Sequence, residues 1–404
     1  MNPVCITGVD QVSALGLGLD QLNDSLALAR GWATPFEFDL PGPGPIQTPV
    51  CRIASPIEVT TPSKVPADRN TALALRVAQG ASMMAGLDQA DIDRERLGVF
   101  WGSGMAGAAT FDQTCRDLYV DHKRIRPTAV VSTMPNAPVA EIALWARAAA
   151  MNPSFACACA SSAVALGEAM WAIRMGRLDV AIVGGSEALL TPGVVASWYA
   201  MRVLAPVGAD AATACKPFDA LRQGFALGEG AAALILESPE HARRRGARIW
   251  AQLSGYGIST DAVHITQPDP GGQVRAMNMA LRDAQLTPSD IAYINAHGTA
   301  TLAGDWAETA SIKTVFGELD VPVSSTKAMH GHLLGAGGAL ELLIAASALH
   351  SQRLPAAINR SEADPRCDLN LVPVGHQPKQ VLRHCMSNSF AFGGTNAVLI
   401  VSAP

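Results

Sequence analysis

Two rhythms of apolar and polar positions alternate along the chain, and their alternation predicts an α/β organisation. Short β-rich apolar runs at 4–8, 97–101, 180–183, 249–255 and 291–295 are interleaved with segments of helical period at 22–29, 72–85 and 273–284. Ser161–Arg174 is apolar on nearly all sides, which predicts a central helix, and Gly176 ends it before the next strand and the Gly184-Gly185 turn. Closing strands are expected near Ile358, at 370–374 and at 397–401. The apolar stretch 333–349 is shorter than the roughly 20 residues of a membrane span and carries Glu341 midway. With Gly335, Gly337 and Gly338 at its start it predicts a buried, closely packed helix. Glu341 then needs either an interior cation or a solvated cavity, because an unpaired buried carboxylate is costly.

A weak internal echo runs through the pattern. The segment Ile173-Arg174-Met175-Gly176-Arg177-Leu178 resembles Leu349-His350-Ser351-Gln352-Arg353-Leu354, each closing a helix that starts among small residues. The charged stretch 237–248 is the candidate junction, dividing the chain into halves at 1–245 and 246–404.

Composition narrows the function classes. The 404 residues are 49% hydrophobic and 16% charged, enough to bury a large core, and a net charge of −5 with scattered basic residues excludes a nucleic-acid or anionic-membrane footprint. Met1–Gly8 lacks a basic segment followed by an apolar core, so no secretory leader is expected and the compartment reads as cytoplasmic. Eight dispersed cysteines are expected to be free thiols, and Cys157 with Cys159 lacks the second close pair that a zinc site requires.

Cys159 carries the first chemical signal. It lies among small residues in Phe155-Ala156-Cys157-Ala158-Cys159-Ala160-Ser161-Ser162, at the expected start of the central helix, where unpaired N–H groups favour a thiolate. Free cysteine is among the most buried residue types, so taken alone the segment favours a small core residue over catalysis. Three further clusters change the balance. His297, in Ala296-His297-Gly298-Thr299-Ala300-Thr301, stands just past a strand end, where ligands of open α/β sheets bind. Lys327, His330 and His332 precede the second apolar helix, whose positive end favours neutral imidazoles; His330 reads as structural. Asn388-Ser389-Phe390-Ala391-Phe392-Gly393-Gly394 forms a glycine-rich corner able to aim N–H groups at an anionic oxygen.

Taken in this order, with Gly102-Ser103-Gly104, Lys216-Pro217-Phe218-Asp219, Gly304-Asp305 and Ser325-Thr326-Lys327, these motifs make the sequence resemble the elongating, Cys-His-His β-ketoacyl-acyl carrier protein synthases of the thiolase superfamily. The resemblance spans essentially the whole chain. It implies two similar βα halves in a five-layer α-β-α-β-α fold, a decarboxylative condensation of an acyl-enzyme with malonyl-carrier protein, and no metal or organic cofactor. It further implies Cys159 as nucleophile, His297 and His332 as donors to the malonyl thioester carbonyl, and Lys327 paired with Glu341 as their support, with Asp305 also supporting. Backbone N–H groups of Cys159 and Phe392 would form an oxyanion hole, Phe392 would gate acyl access, Thr299 and Thr301 would contact phosphopantetheine, and Met105 would line the acyl pocket. The implied partners are acyl carrier protein and a second subunit, as a homodimer or as the catalytic half of a heterodimer with a chain-length partner. Cys157 and Trp306 depart from the usual pattern and suggest a specialised fatty-acid, polyketide or polyene substrate. A thiolase is the competing reading, weakened because Cys385-Met386-Ser387-Asn388 lacks the glycines that surround a second catalytic cysteine.

Overall fold

The computed structural model describes residues 3–40 and 44–404. Ten strands of its large sheet, numbered here in chain order, organise the molecule. They are β1 (Val4–Ser13), β2 (Leu97–Gly102), β3 (Ser154–Phe155), β4 (Val180–Glu187) and β5 (Gly230–Glu237), then β6 (Ala251–Thr260), β7 (Tyr293–Asn295), β8 (Val323–Ser324), β9 (His384–Phe390) and β10 (Thr395–Ser402). The strand order is β8-β7-β9-β10-β6-β1-β5-β4-β2-β3. Adding five to each label of the first half reproduces the second half in mirror order. The pairing repeats too: β1 with β5 and β5 with β4 are antiparallel and β4 with β2 parallel, as are β6 with β10, β10 with β9 and β9 with β7. The two five-stranded units meet at a short antiparallel contact, Val4 opposite Leu253.

Six helices complete the layers: α1 (Arg69–Ala85), α2 (Ala137–Ala146), α3 (Ser161–Arg174), α4 (Pro270–Ala284), α5 (Leu302–Phe316) and α6 (Gly337–Ser351). Helices α3 and α6 pack against each other between the two five-stranded units, α1 and α2 cover the outer face of the first, and α4 and α5 that of the second. Three hydrophobic clusters fill the spaces between these layers. This is the five-layer arrangement expected from the resemblance. Helix α6 is nearly all buried, so an apolar stretch long enough for a bilayer, Leu334–Ser351, is here a core element. Polar caps start the amphipathic helices: Asp68 accepts from the Asn70 N–H, and Asp269 from the Gly272 N–H.

Two expectations fail. The segments around Ile358 and 370–374 form no strand beyond one isolated bridge from Leu371 to Val323; His384–Phe390 is the strand instead. The polar residues of His384-Cys385-Met386-Ser387-Asn388-Ser389 masked it, because a strand covered on both faces needs no alternation when its polar side chains find partners.

The repeat extends to the approach to each central helix. A single 3-10 turn, Ala158–Ala160, precedes α3, and another, Leu334–Ala336, precedes α6. Ala158 and Leu334 open them with φ of +46° and +43°, a left-handed conformation that L-residues adopt only under constraint. Cys159 and Gly335 occupy equivalent places in the two turns.

Candidate active site

The loops at the strand ends bring Cys159, His297 and His332 together from three separate parts of the chain. Sγ of Cys159 lies 3.1 Å from Nε2 of His332. The rings of His332 and His297 stand nearly perpendicular, 5.4 Å between centroids, and Phe225 closes the other side of His332 edge-on at 5.0 Å. All three residues line one cleft, whose walls also include Trp198, Met201, Asp261 and residues 264–268.

Each histidine is fixed through its backbone. The His297 and Gly298 N–H groups donate to the two oxygens of Glu308, at 2.8 and 2.7 Å, and Asn388 donates to the same carboxylate. Gly298 is obligatory here: φ is +32° and a side chain would meet Ser325 and Phe218. The His332 N–H donates to the Ala226 carbonyl at 2.7 Å, and its own carbonyl accepts from Gly228. Lys327 is buried, with Nζ 3.4 Å from Nδ1 of His297 and in contact with the Glu341 carboxylate. Glu341 is therefore paired in the interior. Burial pushes its carboxyl up, while the Lys327 ammonium pulls it back.

Electrostatics correct two expectations. Burial pushes the Cys159 thiol up to about 12, and neither Lys327 nor a hydrogen bond from the Phe392 N–H offsets it. Cys159 sits in the 3-10 turn two residues ahead of α3, and burial there outweighs the helix end that was expected to favour a thiolate. Both catalytic-site imidazoles lie well below the usual range, through burial first and Lys327 second. They are neutral, but the helix end is not the reason, since four residues separate His332 from Gly337. His330 is held by Thr326 away from the cleft, and burial pushes it down to about 3, in keeping with a structural role.

The remaining expected residues divide. Phe392 lines the cleft and stacks on Trp198 at 6.2 Å, carried on a corner in which Gly393 and Gly394 have φ of +85° and +80°. Thr299 and Thr301 face the cleft with their hydroxyls 2.9 Å apart, but Thr301 also caps α5 through the Gly304 N–H. Asp305 is buried away from the sulfur; it accepts from the Phe218 and Ala300 N–H groups and so shapes the loop that carries Thr299. Met105 does not line this cleft. Its N–H is tied to Glu187 at 3.2 Å, and its side chain turns outward, 42% exposed. Cys157, half-buried, and Trp306, on the surface, also lie outside it. Cys385 is buried in β9 and does not reach the cleft.

Glu308 and Glu187 escaped sequence reading. Buried carboxylates have no local signature; the signals available were Glu308 on the inner face of the helix that follows the His297 loop, and Glu187 ending the strand Gly184-Gly185-Ser186-Glu187.

The donor atoms of Cys159, His297 and His332 lie within 4.8 Å of one another, close enough for a metal. Lys327 opposes one. An ammonium donating to Nδ1 of His297 leaves the proton on Nε2, which then faces the cleft as a donor and not as a ligand.

The Beta-ketoacyl synthase N-terminal domain family matches residues 1–242, and the Beta-ketoacyl synthase C-terminal domain family matches 250–361. Nodulation protein E of Rhizobium leguminosarum bv. trifolii is 42% identical over 337 residues, 82% of each chain. The 3-oxoacyl-[acyl-carrier-protein] synthase 2 of Staphylococcus aureus (strain N315) is 40% identical over 338 residues, 82% of this chain and 81% of that one. Among solved structures, a type II polyketide synthase acyl-carrier protein in complex with its ketosynthase bound to the hexaketide superimposes with a TM-score of 0.90 at 30% identity, covering 100% of this chain and 99% of the other.

Proposed function

The chain belongs to the β-ketoacyl synthase family, and from that premise we propose that Cys159, His297 and His332 carry out its condensation, one acyl chain per sulfur. The protein is a β-ketoacyl-acyl carrier protein synthase of fatty-acid or polyketide synthesis. The observation that best supports the assignment is the 3.1 Å approach of His332 Nε2 to Cys159 Sγ beside a neutral His297.

In the first half-reaction an acyl thioester enters on the carrier's phosphopantetheine arm. The neutral His332 takes the Cys159 proton as Sγ bonds to the acyl carbon, and the arm leaves as a thiol after receiving that proton. The Cys159 and Phe392 N–H groups stabilise the tetrahedral oxyanion. In the second, with Sγ acylated, neutral His332 carries its single proton on Nε2 after exchange with solvent in the cleft. The malonyl C–CO2 bond breaks, CO2 leaves, and the electron pair forms an enolate whose oxygen takes hydrogen bonds from Nε2–H of His297 and of His332. The enolate carbon then attacks the acyl carbon, Sγ leaves as a thiolate that takes up a proton from solvent, and the product is longer by two carbons. Lys327 fixes the His297 tautomer that this requires, and Glu341 keeps Lys327 in place. Substrates arrive on carrier protein, and no metal enters the scheme. Thr299 and Thr301 are the proposed contacts of the pantetheine arm, Phe392 the proposed gate, and Asp305 a support of their loop.

The same reading treats 1–245 and 246–404 as the two repeat units and the cytoplasm as the compartment. It also assigns a second subunit, a copy of this chain or a chain-length partner, to the first half, where Met105, Phe111, Leu118 and Val131 are exposed. Met105 would join an acyl pocket only through that subunit.

Intact-mass measurement after incubation with acyl-carrier protein tests the assignment. Wild-type protein gains one acyl mass and Cys159→Ala none; malonyl-carrier protein then discharges the adduct as β-ketoacyl product. An adduct that persists in Cys159→Ala sinks the proposed nucleophile.

A further inference from the structure

Glu187 ends β4 fully buried, and its carboxylate spans two loops that belong to different halves of the molecule. Oε2 accepts from the Gly104 N–H at 2.6 Å and from the Gly335 N–H at 3.0 Å; Oε1 accepts from the Met105 N–H and the Ser103 hydroxyl, each at 3.2 Å. Gly104 belongs to the turn against Ala158, the residue before Cys159, and Gly335 lies three residues beyond His332. Glycine is needed at both: a methyl group on Gly335 would lie 2.3 Å from the Gly104 nitrogen, and one on Gly104 would lie 2.8 Å from Glu187 itself. A carboxylate so far from water, with donors converging from both loops and no cation beside it among the described residues, is an expensive way to close a loop.

We infer that Glu187 is a positioning residue of the condensing site: it ties the backbone beside Cys159 to the backbone beyond His332 and so sets the separation of sulfur and imidazole. This rests on the roles proposed for those two residues. The placement also puts a carboxylate near the thiol, where it joins Glu341 in opposing a thiolate while Lys327 favours one; His297 and His332 are neutral. Glu187 thus helps keep the sulfur protonated until His332 removes its proton.

Glu187→Gln keeps the shape but offers one acceptor oxygen to a shell of four donors. Glu187→Asp keeps the charge but is one methylene short of reaching both loops. Condensation kcat should fall about 10- to 100-fold in both variants, with KM changed less than about threefold, as expected for a sub-ångström displacement of reacting groups. Far-UV circular dichroism and thermal midpoints give the folded fraction. The pH midpoint of Cys159 alkylation by iodoacetamide, read by peptide mass, reports the local charge: it should move down in Glu187→Gln and stay near wild type in Glu187→Asp. Unchanged kcat in folded Glu187→Gln, or a kcat loss matched by a lost folded fraction, overturns the inference. Failure of wild-type protein to form an acyl-enzyme strikes the proposed function instead, whatever the variants do.

Discussion

Nζ of Lys327 lies 3.4 Å from Nδ1 of His297 and touches Glu341 on its other side, so one buried ammonium serves both a carboxylate and a ring. An ammonium can only donate. The His297 proton is therefore on Nε2, aimed at the cleft.

Removing that ammonium has two separable effects. Lys327→Ala should cost about 3–5 kcal/mol of stability, the usual penalty for breaking a buried ion pair, and should suppress malonyl decarboxylation. Lys327→Met/Glu341→Leu should recover much of the stability in urea titrations but none of the decarboxylation. Recovery of both would show that the lysine serves packing alone.

Separate substitution of the histidines resolves the two half-reactions. His297→Ala removes a donor that acts only on the enolate, so it should still form acyl-enzyme while condensation falls about 10²–10³-fold. His332→Ala should slow both steps, because the same nitrogen faces Cys159. Single-turnover loading followed by malonyl chase distinguishes the outcomes.

Stability should respond to pH through two opposed sets of buried groups. His297, His330 and His332 titrate lower in the folded chain than their ordinary 6.5, so stability they contribute above about pH 6.5 is lost as pH falls, by up to about 1.4 kcal/mol per pH unit for each. Glu187, Asp305 and Glu341 are pushed up to about 7 from carboxyl values near 4, so their contribution is present in acid and lost as pH rises toward 7. The two trends offset between about pH 4.5 and 6.5; below that the histidines act together with carboxylates that hydrogen bonds and cations hold below their usual range, Asp219, Glu237 and Asp364 among them. Thermal midpoints should be nearly level across that window and fall steeply under it; a steep fall beginning at pH 6.5 would contradict the raised carboxyls.

The Phe392 corner can be tested through its backbone. Gly394 has φ of +80° and lies against Asp261, so Gly394→Ala should cost about 1 kcal/mol or more and slow acyl loading more than condensation of a preloaded chain. Stopped loading and chase assays give the two rates.

Much of this site was legible in the sequence because its chemistry comes in short motifs. Cys159, His297, Lys327, His332 and Phe392 each sit among small residues at the end of an apolar run; four of them line the cleft, and Lys327 stands behind His297. The hydropathy rhythm likewise disclosed α3 and α6, since a helix buried on every side is written in apolar letters. What escaped reading depends on contacts distant in sequence. Glu187 and Glu308 act on backbone N–H groups many residues away, and β9 is written in polar letters whose partners only the fold supplies. The thiol's elevated titration is hidden for the same reason: burial is a property of the assembled layers, whereas the helix-end argument sees only the local turn. Met105 shows the converse error, a residue next to a site motif whose side chain leaves in the other direction.

The paired 3-10 turns ahead of α3 and α6 set the number of reaction centres. Their matching left-handed first residues would permit a nucleophile in each, yet the second turn holds Gly335, pressed so closely on Gly104 that no side chain fits. The Gly335 N–H instead donates to Glu187, which also holds the Gly104 loop, so the place equivalent to the nucleophile in the second turn braces the first.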